Sequence, residues 1–213
     1  MELLKGITHL SHASIRIERD KIIYIDPFKI DGSPNDADII FCTHDHFDHL
    51  STGDIKKVMK AESILVVPED NAKKLKKMVK KGHVRDVIGV EPFNEYEAQG
   101  ITFKTVPAYN LEKKFHPKKN NWVGYIITID GAAYYFAGDT DYIPEMNDIE
   151  ADVAFLPVGG TYTMNAQEAA QAANSIKPKM AVPIHFGAIV GSRSDAETFK
   201  QNLDAGIEAK ILL

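Results

Sequence analysis

The sequence predicts an α/β domain built of two βα halves, each opening with strands and then alternating strand with helix. Three features predict it. Apolar runs rich in isoleucine and valine, such as "ADIIFC", "SILVVP", "VAFLPVG" and "MAVPIHF", have the length and composition of strands buried on both faces. Segments with helical spacing and capping residues separate such runs in both halves. Histidine and aspartate stand directly after three of the apolar runs, at the strand ends where α/β sheets place their sites.

The elements follow in order. "SIRIERDKIIYID" carries two strand-like runs around "ERDK" and reads as a hairpin. "ADIIFC" is a buried strand, and a short helix begins at Ser51, which with Asp54 has the form of a capping box. "SILVVP" is the next strand. "EDNAKKLKKMVKKG" predicts one helix, opened by acidic residues, with Ala72, Leu75 and Val79 on one face and Gly82 closing it. From residue 86 to about 137 strands dominate, with Asp130-Gly131 as a hairpin turn. "VAFLPVG" is a strand and "NAQEAAQAANS" a helix capped by Asn165 with Glu168. "MAVPIHF" is a strand, "SDAETFKQNLDAG" a helix capped by Ser194 with Glu197 and ending at Gly206, and "AKILL" a closing strand. No repeat, linker or low-complexity segment interrupts the 213 residues, which predicts a single domain over 1–213.

Lys and Arg number 25 against 30 Asp and Glu, so the chain has no global attraction to nucleic acid or anionic membrane. The lysines at 73, 74, 76, 77, 80 and 81 read as a solvated helix face, since no aromatics are interleaved with them. One cysteine, Cys42, excludes an intrachain disulfide, and its apolar flank predicts a buried thiol. The N-terminal segment lacks the pattern of a signal peptide and no run reaches the ~18 apolar residues of a membrane span. A soluble, cytoplasmic protein with no membrane partner is expected.

The chemistry concentrates in "THDHFDHL". Extended backbone turns His44 and His46 the same way and Asp45 and Phe47 the other, so the two imidazoles can share one ion. Asp48 and His49 lie where the chain turns toward the next helix and could face a second ion. No Lys or Arg within the cluster neutralises its acids, which is the composition divalent metal ligation requires. A hydrolytic site needs more donors. Asp139 in "FAGDTD", with small residues beside it, and His185 in "PIHFG" both follow apolar strands directly.

"THDHFDH", then "FAGDT", then "PIHFG" resembles the metallo-β-lactamase superfamily, whose signature is His-x-His-x-Asp-His followed by an Asp and a last His. The likeness runs from "SHASIRI" to "PIHFG". "YIDPF", "WVGYII" and "FAGDTD" are most similar to its short stand-alone branch, which includes ascorbate-6-phosphate lactonase-like and N-acyl phosphatidylethanolamine phospholipase D-like enzymes. The resemblance implies a four-layer αββα sandwich. It implies two divalent ions, zinc first, with manganese or iron also suited to these ligands. His44 and His46 would hold the first ion, Asp48, His49 and His185 the second, and Asp139 would bridge them. The family's further His on the first ion is replaced here by Asn110 in "TVPAYN", and His116 in "KKFHP" is the expected substitute, because Asn is a poor ligand for zinc-like ions. His12 in "LSHASIRI" would orient a ligand or bind substrate. His9 and His83 read as packing or surface residues.

The expected function is a metal-dependent hydrolase in which a metal-activated hydroxide attacks a small ester, lactone or phosphodiester. Asp48 would orient the nucleophile and help protonate the leaving group. Asn110, Thr161 and Tyr162 are candidate substrate contacts, the last two in "VGGTYTM". Rival readings are a metal-binding or sensing protein without turnover, favoured if Asn110 alone replaces the missing His, a nuclease of the same superfamily, and an iron redox protein. The partner expected is a small-molecule substrate, with no nucleic acid; the chain is free to form a homo-oligomer.

Overall fold

In a computed structural model that describes residues 2–212, the two halves form two stacked sheets. The first contains β1 (Ile7–Ser11), β2 (Ser14–Glu18), β3 (Ile22–Ile25), β4 (Ala37–Phe41), β5 (Met59–Pro68) and β6 (Asp86–Val90), side by side in chain order. The first three pair antiparallel and the last four parallel. The second sheet repeats the plan with β7 (Glu95–Ala98), β8 (Ile101–Pro107), β9 (Val123–Ile129), β10 (Ala132–Phe136), β11 (Val153–Pro157), β12 (Met180–Ile184) and β13 (Glu208–Ala209). Its β7 to β10 are antiparallel and β10 to β13 parallel.

Side-chain alternation along the central strands builds the layers. On β4, Ile39 and Phe41 face the second sheet, whereas Ile40 faces outward; on β11, Val153 and Phe155 face inward and Ala154 and Leu156 outward. Phe41, Phe103 and Tyr125 meet edge-on in the middle of the shared core, with ring centres 4.9 and 5.0 Å from Phe41. Over the outer face of the first sheet lie α1 (Thr52–Val58) and α2 (Glu69–Leu75), through Ile55, Val58 and Ala72. Over the second lie α4 (Ala166–Ile176) and α5 (Arg193–Gln201), through an alanine face and Phe199. Two helical layers therefore enclose two sheets, the expected four-layer sandwich. Small alanines on α4 let it sit close to the sheet, and its Asn165–Glu168 capping box is reciprocal. Among the described residues no helix is long and apolar enough to cross a membrane.

Three local expectations need correction. The lysine-rich segment is two helices, α2 and α3 (Lys77–Lys80), separated at Lys76. Like charges three and four residues apart weaken it, and the bond from Lys80 N to Lys76 O is long at 3.5 Å. The last helix starts two residues early, capped by Ser192 with Asp195 rather than Ser194 with Glu197. It ends at Gln201 because Asn202 turns back to donate to the Thr198 carbonyl at 2.7 Å. The closing strand at 209–213 shrinks to Glu208–Ala209, and Leu213 lies outside the described residues. The hairpin over "ERDK", the Asp130-Gly131 turn (φ 51° and 77°) and the buried Cys42 stand as expected.

Candidate metal centre

Six strands that point the same way in their sheets deliver side chains to one end of the sandwich. His12 follows β1, Asp26 follows β3, the loop 43–50 follows β4, His116 lies between β8 and β9, Asp139 comes after β10 and His185 immediately after β12. Gly138, with φ 67°, brings Asp139 close to the β4 loop, since a Cβ there would stand 3.0 Å from that of Thr43. His12, Asp26 and His185 are themselves left-handed, with φ of 53°, 45° and 60°. Such a backbone costs a non-glycine residue about 1–2 kcal/mol and is held only where surrounding contacts enforce it. Here the His12 carbonyl accepts from His185 N at 2.7 Å and from the His9 ring at 2.6 Å.

The side chains form three overlapping donor groups. His44, His46 and His116 converge; so do His12, Asp48 and His185; and His44 and His49 meet Asp139. Asp139 stands between them, 3.3 Å from His116 Nε2, 3.1 Å from His185 Nε2 and 3.3 Å from His49 Nε2. His12 Nε2 is 3.4 Å from Asp48, so His12 lies among the donors themselves rather than out toward substrate. Each expected metal residue is thus in the cluster, His116 included. Asn110 is not among the donors. Its Oδ1 accepts from His116 N at 3.0 Å and lies 3.1 Å from His116 Nδ1, while its amide nitrogen donates to Asp141 and to the Tyr162 carbonyl. With its amide so engaged, Asn110 stands behind His116 and supports its ring. Thr161 is exposed and does not line the cleft beside the donors, whereas Tyr162 does.

Sequence reasoning assigned no role to four supporting residues. Asp26, in "YIDPF", lies 2.7 Å from His49 Nδ1 and accepts from Thr43 N and Oγ1, both at 2.8 Å. Thr43 Oγ1 is also 3.0 Å from His44 Nδ1. Asp141 accepts from Asn110, Leu111 N and Lys113. Trp122 walls His44, His46 and His116, with ring centres 4.9, 4.9 and 5.5 Å away. Asp26 carries a signal that could have found it: it ends an apolar strand, as Asp139 and His185 do.

The electrostatics favour bound cations. Asp26, Asp48 and Asp139 are all buried, and each ion-pair contact of Asp48 and Asp139 is with a histidine. Burial raises the Asp139 carboxyl, but His185, His49 and His116 outweigh it and hold it well below the usual range. Burial pulls His49 down, yet Asp139 and Asp26 outweigh it and hold it well above 6.5, whereas burial keeps His44 well below. Buried ring nitrogens of His12, His49, His116 and His185, and Asp139 Oδ1, have no hydrogen-bond partner. An unsatisfied buried polar atom costs about 1–3 kcal/mol, so an orphaned cluster of imidazole and carboxylate is the donor set divalent ions satisfy. Burial pushes the Cys42 thiol well above 9 and its sulfur stays apart from this chemistry.

The chain resembles known proteins over nearly its whole length. A family model described as a beta-lactamase superfamily domain matches residues 6–185. A metal-dependent hydrolase of Pyrococcus abyssi is 32% identical, with 97% of this chain and 95% of that protein covered. A crystal structure of a protein from Parabacteroides distasonis is 34% identical with a TM-score of 0.80, covering 96% of this chain and 91% of its own. A metallo hydrolase from Ignicoccus hospitalis is 25% identical with a TM-score of 0.77, over 96% and 93% of the two chains.

Proposed function

This chain belongs to the metallo-β-lactamase superfamily as one of its metal-dependent hydrolases, and from that premise we propose that it opens small esters, lactones or phosphodiesters at a two-ion zinc centre. The observation that carries this reading is Asp139. One carboxylate lies within 3.3 Å of nitrogens from both the His116 side and the His185 side, which suits it to bridge two ions. His44, His46 and His116 would hold one ion, and His12, Asp48 and His185 the other; His49, 3.6 Å from Asp48 and 3.3 Å from Asp139, would join the second. A histidine-rich set with carboxylate suits zinc. Divalent ions bound there would supply Lewis acidity toward a substrate oxygen and bring the pKa of water toward neutrality.

The protein's own groups do the rest. Asp48 lines the cleft, and although burial raises its carboxyl, His12 outweighs this and keeps it ionised. It orients the attacking water and passes its proton to the leaving oxygen. Asp26 and Thr43 hold the rings of His49 and His44, and Asn110 that of His116, each at Nδ1, which leaves their Nε2 atoms toward Asp139. Tyr162 stands on the cleft wall. The core that both sheets share supports reading 1–213 as one domain.

Metal analysis of the purified protein with a screen of lactones and phosphodiesters tests the proposal. Two ions per chain and turnover lost on chelation are expected. One tightly held ion with no turnover over the panel would replace hydrolysis with sensing, and a rate unchanged in Asp48→Ala would remove Asp48 from the mechanism.

A further inference from the structure

Among the described residues five large hydrophobic side chains are exposed, and three of them, Phe47, Phe115 and Ile189, line the cleft over the donor cluster. Phe47 is 69% exposed, beyond what an isolated surface aromatic needs explaining, and it sits between the candidate donors His46 and Asp48. Phe115 precedes His116 and meets Tyr162 edge-on at 4.7 Å. Ile189 comes from the loop after β12. Three separate loops thus place apolar groups around one cleft of about 220 Å³, whose floor is His46, Asp48, His116 and Asp139. No Lys or Arg lines it. Lys113 is drawn to Asp141 at 2.6 Å, and Lys29 lies over the Phe28 ring.

We propose that the centre takes uncharged esters or lactones bearing an apolar substituent, which packs against Phe47, Phe115, Tyr162 and Ile189 while the carbonyl reaches the donors. This rests on the hydrolase reading above and narrows its substrate class. A charged substituent at the collar would leave water for aromatic and aliphatic side chains with no Lys or Arg beside them, a desolvation without compensation there. An apolar substituent covers exposed ring surface instead. In the reaction one water is consumed: its oxygen bonds to the carbonyl carbon, the acyl C–O bond breaks, and a proton passes to the departing alkoxide, which in a lactone stays on the same molecule.

The test pairs binding with turnover. Metal-free protein is titrated by calorimetry with γ-lactams carrying alkyl chains of increasing length, and zinc-loaded protein is assayed on the matching γ-lactones. Kd is expected to fall, and kcat/KM to rise, by about two- to fourfold per methylene until the chain outgrows the collar. In Ile189→Ser and Phe115→Ser the slope should flatten; both side chains are exposed, so neither substitution empties a core. Turnover with no dependence on chain length, or a carboxylate-bearing lactone preferred to its neutral match, overturns the proposal and leaves the hydrolase reading intact. Chain-length-dependent lactam binding with no turnover of any lactone or matching ester overturns the proposed substrate class, while the hydrolase reading, which also covers phosphodiesters, stands. An unchanged slope in Ile189→Ser, with a dimer becoming a monomer in sedimentation, assigns the collar to a contact between copies and overturns the proposal.

Discussion

Replacing Asn110 with alanine should weaken one metal site and spare the other. The Asn110 side chain, buried at 6% exposure, makes four polar contacts: two with His116 at 3.0 and 3.1 Å, one with Asp141 at 3.0 Å and one with the Tyr162 carbonyl at 2.9 Å. Its loss frees the His116 ring to rotate and leaves a buried N–H and part of Asp141 unpaired. The stability cost is about 2–4 kcal/mol, once water entering the gap offsets part of the loss. Removing such an orienting partner lowers metal affinity by about 10–100-fold. The assay is a titration of metal-free protein with zinc against a chromophoric chelator, resolving two stepwise affinities. His185→Ala, read in the same way, identifies the step belonging to the other ion. Asn110→Ala should weaken the ion at His44, His46 and His116 by that factor and the other by less than about threefold. Unchanged affinities in a folded variant, or an equal loss at both steps, would refute the argument that Asn110 acts through His116.

Asp26→Asn should lower zinc affinity by about 10–100-fold, read in the same titration, since it removes the carboxylate that holds His49 Nδ1 at 2.7 Å. Gly124→Ala should destabilise by about 1–3 kcal/mol in chemical denaturation, because a Cβ there meets the carbonyls of Phe136 and Ala137 at 2.8 Å, at the end of β10 that leads to Asp139. His9 governs an acid limb. Burial, only partly offset by its hydrogen bond to the His12 carbonyl, lowers it from 6.5 to about 4. The unfolded chain therefore takes up this proton first, so the contribution of His9 is nearly flat above pH 6.5 and falls between 6.5 and 4, by about 2 kcal/mol at pH 5. His9→Gln should remove that portion of the slope in urea midpoints measured from pH 7 to 5.

Features set by neighbours along the chain could be read from the residues alone. Near-continuous apolar runs make β4 and β11, the Ser51 and Asn165 caps start α1 and α4, and Asp130-Gly131 turns β9 into β10, because each is decided within a few residues. The dense His and Asp loop after β4 was legible for the same reason, and Asp139 and His185 were legible by their place at strand ends. Local rules failed where two neighbouring signals competed, as with Ser192 against Ser194, or where like charges interrupted a helical pattern at Lys76. Which distant residues stand side by side depends on the fold. His12 and His185 lie at opposite ends of the chain, yet their rings are 3.8 Å apart, because β1 and β12 end on the same edge of the sandwich and both residues turn left-handed there. Motif spacing left Asn110 and His116 as rivals; the fold brings His116 to His44 and His46 and puts Asn110 behind it. The apolar collar was invisible for the same reason, since Phe47, Phe115 and Ile189 share a wall only when three loops fold over one cleft.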